Sequence, residues 1–586
     1  MVNGEHKNKK KTAGKDLLRL GLSLLILFLL NYVGSFVFHR FDLTSEKRYT
    51  LSPQSKKIAE NIQGTAFFKV YLEGNKLPAG FIRMRDETKE MLDEFRAYSG
   101  GKIQYEFVDP SANPDKNARM AFYEQLYREG LSPINLHLQE SSGNSDIMVV
   151  PGAILSYRGR EIAMNIYQDQ GNPNTMAAVN YSIEELEYNI DNAIHKLTID
   201  FKPDIAFLQG HGELDSIHVA SSIKTLSEYY NIRSITINHR SGALLDSSGN
   251  VRYKAIIVAK PDTVFPEPDK IAIDQYIMHG GKVFWLISPV YAPMDSLSKN
   301  GYTVGFPNNL NLDDMMFNYG VRLNTNLVMD FQCSGVPINT AMRGEPARWE
   351  VCPWLYEPLV GSTGNSTIVK NLNLVELNMA SSLDTIKVPN VKKTVLLNTS
   401  KNTKLQNGTF ARISFQLAIK LAHLSPADRE QLMDAQFKEG HQPVAVLLEG
   451  TFKSLYQGRI PYPYNTPKYN YLAESKPTAM IIVSNGDVIR NETESGGKAA
   501  SPLGWDTYAR QMYSNSDFVL NSMNYLCGDS ALLNVRDRQL QIRLLDDKRV
   551  KLEKTQWQVI NLVIPVALII ILGLILAAVR KAMYAK

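Results

Sequence analysis

The most suggestive chemical feature of the sequence is the turn Gly210–Glu213, which reads Gly-His-Gly-Glu. It follows an apolar segment, residues 204–208, that predicts a β-strand, and ligands of open α/β sheets bind outside the carboxyl ends of the strands. His211 and Glu213 could supply a base and an acid, or two metal ligands, but either chemistry needs a third group that the sequence does not identify. Gly210 and Gly212 also suit a tight strand-to-helix reversal, with Glu213 favourable near a helix N-terminus. The architectural interpretation is favoured.

A second candidate ligand site is the loop at residues 456–464, which is rich in tyrosine and proline. Tyr462 and Tyr464 could stack on a sugar ring or dock a partner protein. A proline-stiffened loop whose tyrosines lie flat on their own domain is an equally good interpretation. Together with the turn Gly210–Glu213, these two tyrosines are the candidate ligand-binding residues.

The sequence lacks the motifs of common catalytic machinery. No G-x-x-x-x-G-K-[ST] motif occurs, and the nearest approach, Gly496-Gly497-Lys498, is followed by Ala499 and lacks the first glycine of the pattern. We therefore predict that the chain does not hydrolyse ATP. Neither a G-x-S-x-G nucleophile elbow nor an H-E-x-x-H zinc helix is present. No catalytic residue, cofactor or metal is predicted.

The three cysteines, Cys333, Cys352 and Cys527, exclude a disulfide framework and a cysteine-rich zinc site, because no C-x-x-C spacing occurs. A single bridge between Cys333 and Cys352 remains open. A nucleophilic role for Cys333 is disfavoured, because it starts a predicted loop with no helix to lower its pKa. Cys527 shares an apolar helix face with Leu520, Met523 and Leu526 and is expected to be buried.

The charge distribution gives no support to a nucleic-acid-binding face, and no nucleic-acid partner is predicted. The chain has 586 residues and a formal charge of 64 − 59 = +5, with 44% hydrophobic and 21% charged residues. Five lysines and one glutamate in residues 1–15, with Arg580, Lys581 and Lys586, sum to 5 − 1 + 3 = +7. The remainder is near −2, so no basic face is expected. A chain of this length is expected to contain about four domains.

Two apolar runs predict membrane anchoring. Residues 20–38 are 19 residues without a charge, and residues 562–579 are 18, so each can cross a hydrocarbon core of about 30 Å. Lysines precede the first run, and Arg580 and Lys581 follow the second. The positive-inside rule therefore places both termini in the cytoplasm and residues 40–554 in the periplasm. A cleaved signal peptide, with a peptidase site near residues 33–35, is the alternative for the first run.

Between the spans, strand and helix patterns alternate. Residues 67–72, 84–98 and 103–108 predict one β-α-β layer, and apolar residues from Ile183 to Leu197 recur at helical spacing. From residue 204, strands at 204–208, 232–237, 255–259, 282–287 and 326–329 alternate with helices, which favours a doubly wound, largely parallel sheet. Residues 331–373, which contain four prolines, are expected to be irregular. Apolar strands return at 444–448 and 479–483.

Several short blocks, each weak alone, occur in a specific order. They are Arg40–Thr44 and Tyr49–Ser52 after the first span, Gly210–Glu213, Tyr276–Pro289, Leu448–Ser454, Val483–Val488 and Asn521–Asp547. On these blocks the chain resembles the GldG family over nearly its whole length. These are the auxiliary, so-called substrate-binding, subunits of gliding-motility ABC transporters of Bacteroidetes, within the wider family of ABC-type auxiliary transport proteins. The family often has Asp where this chain has Asn485.

The resemblance implies a glutamine-amidotransferase-like or flavodoxin-like α/β domain without amidotransferase chemistry, and a membrane permease and a cytoplasmic ATPase as partners. The predicted organisation is a basic cytoplasmic tail (1–19), a first span (20–38), an N-terminal α/β domain (40–180), an amidotransferase-like domain with a long loop (181–373), a C-terminal α/β region with a pre-membrane segment (374–554), a second span (559–579) and a cytoplasmic tail (580–586).

The predicted function is that of a non-enzymatic, membrane-anchored subunit of an ABC transporter in a bacterial inner membrane. Its periplasmic part would couple the permease and ATPase to a ligand or an envelope partner, such as a glycan or a component of the gliding or secretion machinery. One alternative is a periplasmic glycan-binding module. The other is a membrane-tethered envelope hydrolase or amidase that uses His211 and Glu213.

Overall fold

The computed structural model describes residues 20–29, 50–74, 76–140, 143–168, 176–240, 242–341, 346–362, 364, 366–460, 470–494, 497, 499–529 and 547–584. Tyr462 and Tyr464, and residues 30–38 of the first predicted span, lie outside these ranges. The chain divides into two compact units, residues 1–539 and 540–586, and each is described by itself.

The N-terminal part of the first unit is built on a four-stranded sheet. Its elements in chain order are α1 (Leu20–Leu29), α2 (Pro53–Glu60), β1 (Ala66–Val70), α3 (Ala79–Tyr98), β2 (Ile103–Phe107), α4 (Lys116–Arg128), β3 (Ile134–Glu140), β4 (Gly143–Val149), β5 (Gly152–Tyr157), β6 (Arg160–Asn165), α5 (Met176–Glu184) and α6 (Leu186–Thr198). The sheet order is β2-β1-β5-β6. Strands β1 and β2 are parallel and joined through α3, which confirms the predicted β-α-β layer.

The amphipathic helix predicted around residues 183–197 is present as two consecutive helices, α5 and α6. The apolar residues that predicted it are all buried, namely Ile183, Leu186, Ile190, Ile194 and Leu197. Their spacing therefore identified the correct face. The same helix α6 also buries Glu187 and Asp191, which apolar periodicity does not reveal.

The central part alternates strands and helices, as the sequence predicts. Residues 204–330 form β7 (Asp204–Gln209), α7 (Ala220–Ser227), β8 (Asn231–Thr236), β9 (Ala255–Ala259), α8 (Glu267–Met278), β10 (Val283–Leu286), β11 (Val290–Tyr291), α9 (Met294–Asn300), β12 (Tyr302–Val304), β13 (Phe306–Pro307), α10 (Asp313–Tyr319), β14 (Val321–Leu323) and β15 (Asn326–Asp330). The five predicted strands of this region are confirmed, with ends that differ by at most one residue.

The rest of the first unit is richer in short strands. It contains β16 (Cys333–Asn339), β17 (Trp349–Val360), β18 (Val375–Glu376), β19 (Leu383–Thr385), β20 (Val391–Asn398), β21 (Thr403–Asn407), β22 (Arg412–Ser414), α11 (Phe415–His423), α12 (Pro426–Gln436), β23 (Pro443–Gly450), β24 (Thr478–Val483), a 3₁₀ turn (Asp487–Ile489), β25 (Thr493–Glu494), β26 (Ala499–Ala500), β27 (Trp505–Asp506), β28 (Gln511–Met512) and α13 (Asn515–Cys527).

The prediction that residues 331–373 are irregular is wrong. Strands β16 and β17 pair antiparallel there, with Pro337 opposite Val351 and Pro353 opposite Gly335. Proline suggests a strand break, but it is tolerated where a strand has an open edge that needs no N–H donor. Strand β16, with Pro337, is an edge strand of its small sheet, and β17 pairs with β18 only at Leu359 and Val360, beyond Pro353. The inner face of the pair is buried, including Trp354.

The cysteines are all free thiols. In the β16–β17 ladder Cys352 lies opposite Val336 and Cys333 lies opposite Pro358, so the bridge that the sequence left open does not form. Burial raises the pKa of the Cys333 thiol to about 12, which disfavours a nucleophilic thiolate. Cys527 is buried on α13, as predicted.

A seven-stranded sheet with the order β20-β23-β24-β10-β9-β7-β8 forms the core of the first unit. The five strands from β24 to β8 are mutually parallel, while β23 runs antiparallel to β24 and β20 antiparallel to β23. The largely parallel sheet is thus confirmed, with a mixed edge added. It uses strands from both sides of the boundary predicted at residue 373.

Both faces of the seven-stranded sheet are covered by helices. Successive side chains of a strand point to opposite faces. Ile257 and Phe284 therefore pack in one core with residues of α7 and α13, whereas Ile256 and Trp285 pack in a second core with residues of α8 and α10. This three-layer α/β arrangement leaves the loops at the carboxyl ends of the parallel strands as the site for chemistry.

The second unit contains the helix α14 (Asp547–Tyr584). Its segment Leu552–Ala582, 31 residues, is the one helix of the described residues that is long and apolar enough to cross a membrane. At 1.5 Å per residue it measures roughly 46 Å, more than a hydrocarbon core of about 30 Å. This confirms the C-terminal predicted span as a helix. The described part of the N-terminal run, α1, is a shorter apolar helix.

Candidate functional site at the carboxyl edge of the central sheet

A cleft of about 310 Å³ opens at the carboxyl edge of the seven-stranded sheet. Its walls are the loops that follow β7, β9, β10 and β24. Strand β8 lies on one side of β7 and β9 on the other, so the winding of the sheet reverses at β7. Ligands of doubly wound sheets bind at this reversal point, and the predicted turn Gly210–Glu213 lies there.

The two glycines of the turn have conformations that other residues avoid. Gly210 has φ +113° and Gly212 has φ +73°, the left-handed region that favours glycine. A Cβ atom on Gly212 would lie 1.4 Å from Oδ1 of Asp262. The backbone N–H of Asp262 also donates to the carbonyl oxygen of His211 at 3.0 Å. The turn is therefore fitted against the loop after β9.

His211 is buried between two carboxylates. Its Nδ1 lies 3.2 Å from Oε1 of Glu213, and its Nε2 lies 3.0 Å from Oδ2 of Asp269. The backbone N–H of His211 donates to Oε2 of Glu213 at 2.7 Å. The imidazole stacks on Phe265 with ring centroids 3.8 Å apart. Burial lowers the pKa of His211, but the hydrogen bonds and charges of Glu213 and Asp269 outweigh it and raise the pKa above its ordinary value.

The third group near His211 is Asp269, in the first turn of α8. Its other oxygen accepts the backbone N–H of His239, after β8, at 2.7 Å. The cluster therefore ties the loops after β7 and β8 to the start of α8. Sequence reasoning missed Asp269 because it lies 58 residues from His211; its only local signal is an acidic residue at a helix N-terminus.

This arrangement occupies both ring nitrogens of His211, and His211 is absent from the cleft lining, although Gly212 and Glu213 belong to it. A general base needs a nitrogen within reach of a substrate proton. His211 instead forms buried ion pairs that connect the loops. The favoured architectural role of the turn fits these contacts.

An ion-paired group that the sequence did not single out lines the cleft. Nζ of Lys260, after β9, lies 2.6 and 2.5 Å from the two carboxylate oxygens of Asp487, after β24. Nη1 of Arg490 lies 3.5 Å from Oδ1 of Asp487. Lys260 has φ +53°, a left-handed conformation that places the residue at a tight bend after β9. These residues connect the loops after β9 and β24 where they line the cleft.

Acidic and aromatic side chains also line the cleft. Oδ1 of Asp215 lies 2.6 Å from Nδ1 of His218, and this hydrogen bond is the main reason why the pKa of Asp215 is lowered. Asp262 is exposed, and Tyr291 at the rim is 52% exposed. Carboxylates beside an exposed aromatic ring suit a polar organic ligand with hydroxyl or amino groups. The described residues contain no group of three or more His, Cys, Asp or Glu side chains that could hold a metal ion.

Comparison with known proteins identifies the family. The family model described as "ABC-type uncharacterized transport system" matches residues 202–522, more than half of the chain. The chain therefore belongs to this family of ABC transporter auxiliary proteins, and it has a role in an ABC transporter and associates with transporter components. The family suggests a non-catalytic role. A second model, a domain of unknown function, matches residues 45–156.

No curated protein is significantly similar to the chain. Among solved structures, the "mmIFT52 N-terminal domain" is similar with 12% sequence identity and a TM-score of 0.30; the match covers 55% of this chain and 97% of that one.

Proposed function

We propose that the chain is the membrane-anchored auxiliary subunit of a bacterial ABC transporter and couples a permease and a cytoplasmic ATPase to a ligand or partner outside the membrane. The family match over residues 202–522 carries this proposal. The apolar helix Leu552–Ala582 supplies an anchor, and the missing ATP-binding motif assigns ATP hydrolysis to another subunit.

The proposal extends to topology and to the fold of the outer domain. Lysines before residue 20 and the pair Arg580–Lys581 support two spans with both termini in the cytoplasm and residues 40–554 in the periplasm. The parallel strands follow the order 2-1-3-4-5, counted from β7. This order supports a flavodoxin-like or glutamine-amidotransferase-like domain. The sequence resemblance adds gliding motility as the process served.

Purification in mild detergent tests the proposed assembly. A tagged full chain should recover a permease and an ATPase in constant proportion, and a variant that ends before residue 547 should lose them if α14 is needed for assembly. A chain that elutes alone in several gentle detergents contradicts the proposal.

Protease protection tests the topology separately. Protease added to spheroplasts should digest residues 40–554 and spare short terminal fragments. A mature protein that begins near residue 36, or termini accessible from outside, contradicts the two-span arrangement.

Glycan binding at the cleft is the second candidate function, and the exposed Tyr291 beside the acidic rim favours it. The variant Tyr291→Ala should weaken pull-down by purified cell-wall or capsule polysaccharide, and Tyr302→Ala is a matched control because Tyr302 is exposed outside the cleft lining. The double variant Tyr462→Ala/Tyr464→Ala tests the tyrosine loop in the same assay. Unchanged retention of all variants contradicts glycan binding.

The hydrolase alternative receives less support from the contacts of His211. A base that is held by Glu213 and Asp269 on its two nitrogens must first lose one partner. Hydrolysis of envelope polymers by the purified chain, abolished by His211→Asn, would revive this alternative.

A further inference from the structure

Helix α6 carries three titratable residues on one face. Glu187, Asp191 and His195 are spaced by four residues, which places their side chains one above another along the helix. At 1.5 Å per residue, the distance from Glu187 to His195 along the axis is about 12 Å. Each of the three contacts a residue that is distant in the sequence: the partners of Glu187 and Asp191 lie in the N-terminal part of the first unit, and the partner of His195 lies in its C-terminal part.

The first two residues hold what we call the leading segment, residues 50–60. The backbone N–H of Ser52 donates to Oε1 of Glu187 at 2.6 Å. The hydroxyl of Ser55, which is fully buried, lies 2.6 Å from the same oxygen and 2.5 Å from Oδ2 of Asp191. Ser52 also caps α2, because its Oγ accepts the N–H of Ser55 at 3.1 Å. The start of α2 is thus fixed to α6 by buried contacts.

The hydroxyl of Ser55 is shared between the two acids. Oγ of Ser55 has one hydrogen but three short oxygen contacts, the third being Oγ of Ser52 at 2.7 Å. The hydroxyl of Ser55 donates to Oε1 of Glu187, which also accepts the Ser52 N–H, and to Oδ2 of Asp191. Burial raises the pKa of Asp191 well above its ordinary value, opposed by the bond with Ser55 and assisted by the charge of Glu187.

The third residue holds what we call the trailing segment, residues 524–529. Nε2 of His195 lies 2.7 Å from Oδ2 of Asp529, the last described residue before α14. The N–H of Asp529 donates to the carbonyl oxygen of Asn524 at 2.8 Å, just after Gly528 ends α13. Asp529 is therefore held both by α13 and by α6.

Helix α6 is itself fixed to both sheets of the first unit. Tyr188 packs in the core of the seven-stranded sheet with Tyr229. At the other end of α6, the guanidinium of Arg160, from β6, donates to the carbonyl oxygens of Leu197 and Ile199. A helix with contacts to both sheets moves as one body with them.

We propose that α6 is a strut that ties the leading and trailing segments, and hence the chain connections to α1 and α14, to one rigid element. This rests on the proposed function, in which the chain is held in a membrane through α1 and α14. A displacement of either connection then acts on the same helix, at points about 12 Å apart. Asp191 and His195 are the positioning residues.

Amide hydrogen exchange of the full chain in detergent tests the strut. Asp191→Ala and Ser55→Ala should each raise exchange in residues 50–60 about ten-fold, since a buried hydrogen-bond partner is lost. Asp191→Asn should keep wild-type protection, because its amide oxygen can accept the hydrogen bond from the Ser55 hydroxyl as the carboxyl oxygen does. His195→Ala should raise exchange in residues 524–529 and leave residues 50–60 protected. Protection of β9 reports that each variant is folded.

The proposal is overturned if Ser55→Ala and Asp191→Ala leave residues 50–60 at wild-type exchange, if Asp191→Asn behaves as Asp191→Ala, or if His195→Ala leaves residues 524–529 unchanged. Ser55→Ala decides the leading tie if Asp191→Ala does not fold. The measurement needs no permease or ATPase, so failure of the proposed assembly appears only in the detergent purification.

Discussion

Two acidic clusters in the first unit accommodate their carboxyl groups in different ways. In the imidazole cluster, Glu213 and Asp269 flank His211, whose pKa is raised by their hydrogen bonds and charges against the opposing effect of burial. The second group, which we call the carboxyl cluster, contains Glu357 and Glu376. Burial raises the pKa of Glu376 to about 7 and that of Glu357 well above its ordinary value, and neighbouring carboxylates add to both shifts.

The difference shows two ways to bury a carboxylate. A cation can remain beside it, or the carboxylate can bind a proton and become neutral. The imidazole cluster connects three loops at the edge of the cleft, so its charge pairing fixes backbone positions. The carboxyl cluster depends on pH for its neutrality. The following variants test this comparison.

The largest expected effect is that of His211→Ala. Removal of the imidazole leaves Glu213 and Asp269 buried without their cation and also removes the stacking on Phe265. Loss of one partner of a buried ion pair costs about 3–5 kcal/mol. We expect a decrease of that size in the free energy of unfolding at pH 6, measured by urea titration of the full chain in detergent with tryptophan fluorescence.

The control for this variant is His218→Ala. His218 also pairs with a carboxylate, Asp215, but Asp215 is exposed, and such pairs contribute about 0–1 kcal/mol. Equal losses for His211→Ala and His218→Ala would contradict the assignment of the imidazole cluster. In the wild type, the contribution of His211 is complete below its ordinary pKa of 6.5 and is lost as the pH rises through the raised folded-state value.

Glu376→Gln should alter the pH dependence of stability. Because its pKa rises from 4.5 to about 7 on folding, the neutral folded form stabilises fully below pH 4.5, and this contribution is lost as the pH rises through about 7. At 1.36 kcal/mol per pH unit, the loss is roughly 3 kcal/mol. Glutamine stays neutral, so the free energy of unfolding of the variant should fall less between pH 4.5 and 7.5. Parallel curves for variant and wild type would rule out this role.

The sequence predicted the fold better than it predicted the clusters. Apolar strands such as residues 255–259 can be predicted from the sequence, because a strand that is covered on both faces is continuously hydrophobic. Strands β16 and β17 were missed because their prolines suggest a break, although one face is buried. The turn Gly210–Glu213 was placed correctly at the sheet edge. Its partner Asp269 was missed, because a contact between distant residues has no signature in a single sequence.

The smallest expected effect concerns Asn485, where the resembling family often has aspartate. The side chain is fully buried; its Nδ2 donates to the carbonyl oxygen of Asn378, and its Oδ1 has no hydrogen-bond partner. An ionised aspartate cannot donate this bond, so Asn485→Asp should decrease the free energy of unfolding by about 1–3 kcal/mol at pH 8.

At pH 5 that loss should shrink, because a buried aspartate without a cation binds a proton, as Glu376 does, and then regains a donor. Urea titration of Asn485→Asp and wild type at both pH values measures the difference. Asn485→Ala is the matched control: it loses the same bond but introduces no titratable group, so its loss should be equal at pH 5 and pH 8. A loss for Asn485→Asp that is also independent of pH would show that a cation, as in the imidazole cluster, compensates the new carboxylate.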